Sequence, residues 1–500
     1  MPSLIDTRPF PPVPASFNLA RHVLARGAGL GDKTALVTLH PDRDEAVSYA
    51  ALIAMVRGFG SLLLGLGLVP GDRVLLRLAN GPAFPVAFLG AIAVGLVPVA
   101  SAAGLTGGEI TRLAALADPR LVVADQGVAL PDHPAPVLLA DLAAWARQPP
   151  APWHMGGADR EGYIVFTSGS SGTPLAVSHA HRAILARETL HRGWEGVGPE
   201  DRLAHAGALN WTYTLGTGLL DPWTVGATAL ITPPGTLPAA LPALLARSGA
   251  TILAAVPGVF RQLLRAGLPP LPALRHALSA GEGLAPSLRL DWQRQTGTDI
   301  HEALGMTELS TYISGSPDRP APLGSSGHVQ PGRLIACLDA AGQPVPRGMP
   351  GELAVSTADP GFMRGYLHQP PPKGPWFRTG DLARIEASGA VTHLGRKDDL
   401  ITAGGYRISA PEVEAAFHDL PGLTALAATE VEVTPGTRII ALFYEADGPI
   451  AEAALHQRAE IALARWKQPR HYQHVTALPR SANGKLLRRA LAALFMRPSP

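Results

Sequence analysis

Residues 163–177 read YIVFTSGSSGTPLAV. An apolar strand-like piece, Ile164–Phe166, runs into Thr167, Ser168, Gly169, Ser170, Ser171, Gly172 and Thr173. β-branched and aromatic residues favour the extended chain. The glycines then let the backbone turn and leave its N–H groups unblocked, and the hydroxyl side chains add further donors. A strand that delivers such a loop suits a polyphosphate. The spacing is not GxxxxGK[ST], which argues against a P-loop NTPase.

On either side of this stretch, short apolar runs alternate with Ala/Leu-rich stretches of helical period. Strand-like runs are Asp72–Leu76, Leu121–Ala124, Thr228–Ile231 and Thr251–Ala254. Helix-like runs are Tyr49–Leu66, Gly107–Ala117, Pro242–Ser248 and Gly258–Ala266. The alternation predicts βα units and mostly parallel sheets. Beyond about residue 320, Gly and Pro become dense and the strand-like pieces short (Gly351–Val355, Leu382–Glu386, Val391–Leu394), which predicts an antiparallel, barrel-like portion. The last hundred residues read as a small α+β unit, with helices near Ala410–His418 and Ile450–Ala464 and strands near Ala425–Val433 and Arg438–Tyr444. The expected fold class is therefore α/β: a large domain over 1–397, its barrel-like part over about 320–397, then a small mobile α+β domain over 398–500.

Composition narrows the function classes. The 500 residues are 46% hydrophobic and 16% charged, which excludes a disordered chain. Basic and acidic residues nearly balance, 42 against 40, and there is no long basic run, so no nucleic-acid partner is expected. The single cysteine, Cys337, cannot form an intramolecular disulfide or a zinc ribbon and fits a reducing, cytoplasmic home. The opening MPSLIDTRPFPPVPA does not read as a signal peptide. Residues 83–100 are apolar enough to suggest a membrane span, but Pro85, Pro98 and several glycines interrupt them, and a buried helix running into a strand is expected instead. Arginine supplies nearly all the basic groups. Only Lys33, Lys373, Lys397, Lys467 and Lys485 break the pattern, which suggests a chemical use for some of them.

Further motifs follow the Ser/Gly loop in order: Leu304–Glu308 (LGMTE), Thr379–Asp381 (TGD), Gly395–Asp399 (GRKDD), Gly404–Ile408 (GGYRI) and Pro479–Leu487 (PRSANGKLL). With the loop, this set resembles the adenylate-forming superfamily of acyl- and aryl-CoA synthetases, adenylation domains and luciferases. The resemblance implies ATP, Mg²⁺ and coenzyme A, and a carboxylic acid as substrate. Glu308 is then the candidate Mg²⁺ ligand, because a carboxylate facing a triphosphate needs a cation between them. Thr307 is a candidate phosphate contact. Asp381 would accept the ribose hydroxyls and Arg396 would donate to the same sugar. Gly281 and Glu282 count among the nucleotide contacts. Lys485 takes the family's place for the adenylation lysine, Asp398 that of the hinge, and Gly404 and Gly405 that of the pantetheine tunnel.

The chain departs from the family pattern at three positions. The lysine that usually follows the loop's proline is Leu175, the next glycine is Ala176, and the usual aromatic before Gly-Met-Thr-Glu is Leu304. Loss of a cation at 175 predicts weaker ATP binding or a slower first step.

The acid pocket is expected from Trp211 and Tyr213 with the small residues Gly216 and Gly283, bordered by Leu304. No Asp-x-Ser pattern stands near Trp211 to hold an ammonium group, and the nearest acid is Asp221, so an α-amino acid is not expected. The segments Ser16–Ala20 and Tyr213–Gly218 resemble the benzoate-CoA ligase branch, which implies a compact apolar acid, aromatic or of short to medium chain. His179 and His181 are read as local polar contacts, not metal ligands, since on a helix an i, i+2 pair points apart. Two rival readings stand: an adenylation enzyme that loads a carrier protein's phosphopantetheine, and a non-catalytic nucleotide-binding relative. The expected oligomer is a monomer or homodimer.

Overall fold

The alternating apolar runs form two sheets in the structure, a computed structural model that describes residues 1–168, 174–236, 238–397, 400–403, 406–418, 420–434, 437–480 and 486–495. In the larger sheet six strands run parallel, in the order Ile300–Met306, His276–Ala280, Ile252–Ala255, Arg202–His205, Thr228–Ile231, Thr34–Leu39. Four-residue pieces such as Thr228–Ile231 and Ile252–Ala255 are buried at every position, as strands covered on both faces must be. The second sheet places Glu161–Ser168 beside Val97–Ala100, Arg73–Arg77, Leu121–Ala124 and Val137–Leu139, all parallel. Pro174–Ala180 returns antiparallel to Glu161–Ser168, so the Ser/Gly loop closes a hairpin.

The segment that suggests a membrane span is the helix Ala83–Ala93, buried from Phe84 to Ala93, followed by the buried strand Val97–Ala100. No helix among the described residues is long and apolar enough to cross a membrane.

The antiparallel strands expected after residue 320 are present, but not as a separately closed barrel. They are hydrogen-bonded in series onto the parallel strands: Ser310–Ser314, Gly327–Val329, Ala390–Arg396, Trp376–Ile385, Pro350–Ser356, Leu334–Leu338. Leu4–Asp6 pairs with Leu334–Leu338 and forms that edge of the sheet. The barrel-like reading missed this because nothing local in the first residues announces a partner so far along the chain.

Beyond residue 400 come the strand pair Leu400–Ala403 and Tyr406–Ser409, then Leu423–Thr434, Thr437–Ala446 and His471–His474 in one sheet. The helices here are shorter than expected, Ala410–Ala415 and Glu452–Ala462. Ile401, Phe417, Leu442 and Leu455 share one apolar cluster and Ala427, Phe443, Leu478 and Leu491 another, both drawn only from this part of the chain. The C-terminal segment thus has a core of its own.

Candidate active site

The motif residues lie where the strands deliver them. Glu161–Ser168 leads into residues 169–173, His276–Ala280 into Gly281–Gly283, Ile300–Met306 into Thr307–Glu308, and Arg202–His205 toward Trp211. All four are carboxyl ends of strands in open α/β sheets, the side on which ligands bind. Thr167 pairs with Leu175 across the loop's stem and is half-buried, and Ser168 pairs with Pro174. Gly169, Ser170, Ser171, Gly172 and Thr173 lie outside the described residues.

Thr307 and Glu308 sit in the turn between two antiparallel strands, and two neighbours fix it. His179 Nε2 donates to the Thr307 carbonyl at 2.8 Å, and the Tyr366 hydroxyl donates to Glu308 Oε1 at 2.8 Å. His179 belongs to the strand Pro174–Ala180, the return arm of the Ser/Gly hairpin. The Gly365–Tyr366 strand pairs with that same arm. The loop stem and the Thr-Glu turn are therefore one hydrogen-bonded unit. This corrects the helical, local reading of the two histidines. His179 reaches a turn 128 positions away, and His181 Nδ1 accepts the Leu19 N–H at 3.0 Å. Burial pushes the His179 imidazole down to about 4 and that of His181 to about 3, so both are neutral at pH 7.

Asp381 and Arg396 are register partners on adjacent strands. Arg396 donates to the Thr379 carbonyl at 3.1 Å and approaches Asp381 Oδ1 at 3.5 Å, while His393 Nε2 donates to the same oxygen at 3.2 Å. Burial would raise the Asp381 carboxyl, but His393 and Arg396 overcome it and hold it below the usual carboxylate range. Asp381 is thus an oriented, ionised acceptor. Tyr312, fully buried, lies in the field of Asp381, Arg396 and Glu308 together; burial and these carboxylates push its hydroxyl well up. Glu302, on the strand that leads to Thr307, accepts the Leu284 N–H at 3.0 Å, and burial raises its carboxyl to about 7. Composition gave no sign of His393, Tyr366, Tyr312 or Glu302. Only strand register brings them to the motif residues.

Among the residues expected to line the acid pocket, Trp211 leans on Gly281, whose φ is +94°; a Cβ there would lie 2.6 Å from Trp211 Cη2. Trp211 meets Tyr213 edge-on at 5.4 Å between centroids. Tyr213 is buried and donates its hydroxyl to the Leu278 carbonyl at 3.0 Å, so it braces Trp211 from within the core. Leu304 is half-buried against the main core, and Gly283 stands in open space. Gly216 does not make room for an acid. A Cβ there would come within 2.3 Å of Arg187 Cζ, because the guanidinium already fills that space.

Arg187 is the centre of a buried cluster that sequence reading missed. Its Nε donates to Asp221 Oδ1 at 2.9 Å, and Nη2 donates to Thr217 Oγ1 at 3.1 Å and to Asp221 Oδ2; Nη1 donates to Ser310 Oγ. Glu195 and His191 complete it. Burial and the neighbouring Asp221 raise the Glu195 carboxyl well above its ordinary range. Burial opposes the charge on Asp221 too, but Arg187 overrides it and keeps Asp221 ionised. Asp221 is thus spent on Arg187 and is not available to a substrate ammonium.

Glu282 departs from the nucleotide contact expected of it. Its carboxylate accepts the Leu486 N–H at 3.1 Å and lies 3.5 Å from Arg480 Nη1, so this side chain serves the C-terminal segment. Lys485, Asp398, Gly404 and Gly405 lie outside the described residues. Three of the scarce lysines have plain structural uses in ion pairs, Lys33 with Glu200, Lys397 with Glu352 and Lys467 with Glu412.

The family model described as AMP-binding enzyme matches residues 24–367. The chain is similar to the 3-hydroxybenzoate–CoA/4-hydroxybenzoate–CoA ligase of Thauera aromatica, 28% identical over 94% of this chain and 96% of the relative. It is similar to the benzoate–CoA ligase of the same organism at 29%, over 97% of each. Among solved structures it resembles the anthranilate CoA ligase AuaEII in complex with anthranoyl-AMP, with a TM-score of 0.89 and 25% identity over 96% of this chain and 98% of that one. The chain therefore belongs to the AMP-binding enzyme family, the adenylate-forming superfamily, in which aryl-CoA ligases are among its relatives.

Proposed function

We propose that this chain is an ATP-dependent aryl- or acyl-CoA ligase for a compact apolar carboxylic acid. The observation that carries the reading is the joining of the Ser/Gly hairpin to the Thr307–Glu308 turn through His179 and Tyr366, with Asp381 and Arg396 in the same electrostatic field. That unit can seat a polyphosphate, a cation and a ribose at once.

In the first step the substrate carboxylate attacks the α-phosphorus of ATP. A carboxylate–phosphorus bond forms, the bond to the β-phosphate oxygen breaks, and pyrophosphate leaves. In the second the CoA sulfur attacks the acyl carbon, AMP leaves, and the thiol proton goes to solvent. The sequence converts a poor leaving group into a good one. Residues 167–173 would cradle the phosphates, Asp381 and Arg396 the ribose, and Lys485 the α-phosphate as charge builds there. Glu308 suits Mg²⁺: a hard carboxylate, half-buried, with one oxygen oriented by Tyr366. When bound, the ion offsets phosphate charge. Trp211 closes one side of the acid pocket over Gly281.

The separate cores of the C-terminal segment support a second body that turns about residues near Asp398, bringing Gly404 and Gly405 to the thiol's path for the second step. The test is acid-dependent pyrophosphate release over a panel of aryl and short to medium acyl acids, with and without CoA. Turnover that requires CoA, with one acid class preferred, is expected. Release of about one equivalent that CoA does not change would move the acceptor to a carrier protein.

A further inference from the structure

Four contacts hold the turn that carries Glu308. His179 donates to the Thr307 carbonyl, the Met363 N–H donates to the Glu308 carbonyl at 2.8 Å, Tyr366 donates to the Glu308 carboxylate, and Arg187 Nη1 donates to Ser310 Oγ. The first three come from the return arm of the Ser/Gly hairpin and from the segment that pairs with it. The fourth comes out of the buried cluster around Asp221. Ser310 pairs with Met306 across the turn, and its backbone is an exception. Among the described residues other than glycine, only Asp118, Ser310 and His368 have a positive φ, at 48°, 75° and 60°. Asp118 caps the helix Gly107–Ala117, where a left-handed residue is ordinary. The other two stand two positions beyond Glu308 and two positions beyond its partner Tyr366.

A left-handed residue that carries a Cβ is sterically disfavoured and persists where its surroundings fix it. His368 is fixed by its Nε2, which donates to the Leu116 carbonyl at 2.9 Å. Ser310 is fixed by Arg187. The guanidinium cannot turn away, because Nε and Nη2 are committed to Asp221 and Thr217. Tight hairpins usually place glycine where the chain must turn left-handed. Serine here takes the same conformation and adds an acceptor for the cluster. The geometry points to Ser310 as a positioning residue for the cation that Glu308 suits: Arg187 holds its hydroxyl, the hydroxyl holds the left-handed bend, and the bend sets where Glu308 presents its carboxylate. The inference rests on the nucleotide reading above.

The test is equilibrium binding of α,β-methylene ATP, whose α–β bridge is not cleaved, at rising Mg²⁺, with the thermal midpoint of each chain measured beside it. Ser310→Gly removes the hydroxyl and relieves the left-handed backbone; Ser310→Ala removes the hydroxyl alone. Both variants are expected to need about five- to twentyfold more Mg²⁺ for half-maximal binding, a share of what a hydrogen bond to a charged group is worth, passed on through Glu308. At saturating Mg²⁺ all three chains should bind the analogue within about twofold of one another, because the cation-linked part of the affinity is then restored. Ser310→Gly should melt within about 2 °C of the wild type, and Ser310→Ala below Ser310→Gly. An unchanged Mg²⁺ dependence in Ser310→Gly would overturn the positioning role and leave the ligase reading intact. So would weaker binding at every Mg²⁺ concentration, or a Ser310→Gly chain that melts far below the wild type, since either would make the bond a plain fold contact. A wild-type chain whose affinity for the analogue does not depend on Mg²⁺ would overturn the nucleotide reading, and the positioning role with it.

Discussion

The side of the site proposed for the nucleotide and the side proposed for the acid are built on opposite plans. On the side proposed for the nucleotide, Asp381 lies buried within its strand, and Arg396, at the end of the next, is half-open to solvent; one or two hydrogen bonds hold each. Arg396 is 43% exposed beside an Asp381 that is 9% exposed. On the acid side the charges are sealed inside: Arg187 is 8% exposed and its partner Asp221 not at all. The first plan keeps charges available for a ligand. The second spends them on holding Thr217 and Ser310, hence the helical turn beyond Trp211 and the strand after Glu308, in one place. Charge on one side is therefore chemistry, and on the other scaffolding.

The largest expected effect comes from breaking the scaffold. Arg187→Met leaves Asp221 buried without its cation and should cost about 3–5 kcal/mol of stability in urea unfolding. Arg187→Met combined with Asp221→Leu should recover much of that. If the single variant unfolds at the wild-type midpoint, the two plans are not distinct. On the nucleotide side Asp381→Ala should leave the urea midpoint nearly unchanged while kcat/KM for ATP falls about thirty- to a hundredfold, or ~2–3 kcal/mol. A large loss of stability instead would make Asp381 scaffold as well.

Glu302 tests a group between the two plans. Its carboxyl rises from the usual 4.5 to about 7 through burial, so between those values the unfolded chain ionises first and the native state binds more protons. Stability should therefore fall as pH rises from about 4.5 to 7 and then level, by on the order of 1–3 kcal/mol. Glu302→Gln should remove that part of the pH dependence, and an unchanged profile would refute it. The smallest effect is expected at Leu175, half-buried on the loop's return arm. Leu175→Lys should lower the KM for ATP about two- to fivefold with kcat little changed. A rise would mean that the loop meets phosphate in another way.

What the sequence made legible follows the same division. The Ser/Gly loop, Thr307–Glu308 and Asp381 were picked out by residue types at short spacing, and the structure places Thr307–Glu308 beside the loop's return arm. The parallel sheets were readable because buried strands are written in β-branched runs such as Leu121–Ala124. Nothing in GFMRGYLHQ marks Tyr366 as the partner of Glu308, which depends on the pairing of Gly365 with Ser178. Gly216 was read as space for substrate, although Arg187, 29 residues earlier, occupies that space. A pocket wall depends on which distant side chains pack behind it, and a local motif carries no record of them. The antiparallel strands were legible, but not that they continue the large sheet with Leu4–Asp6 as its edge, which again depends on a distant partner.

That edge strand has a consequence for how the protein is made. Leu4–Asp6 hydrogen-bonds to Leu334–Leu338, and Thr7 Oγ1 donates to the Arg333 carbonyl 326 positions away. At a synthesis rate of roughly 5–20 residues per second, the first strand leaves the ribosome on the order of tens of seconds before its partner exists. Until then the nascent chain carries an unmatched end, and the partner strand, once made, is an open edge for other chains to pair with. Burial of Leu4–Asp6 thus waits for Leu334–Leu338, and bulk placed beside residues 4–6 would burden that long-range seam.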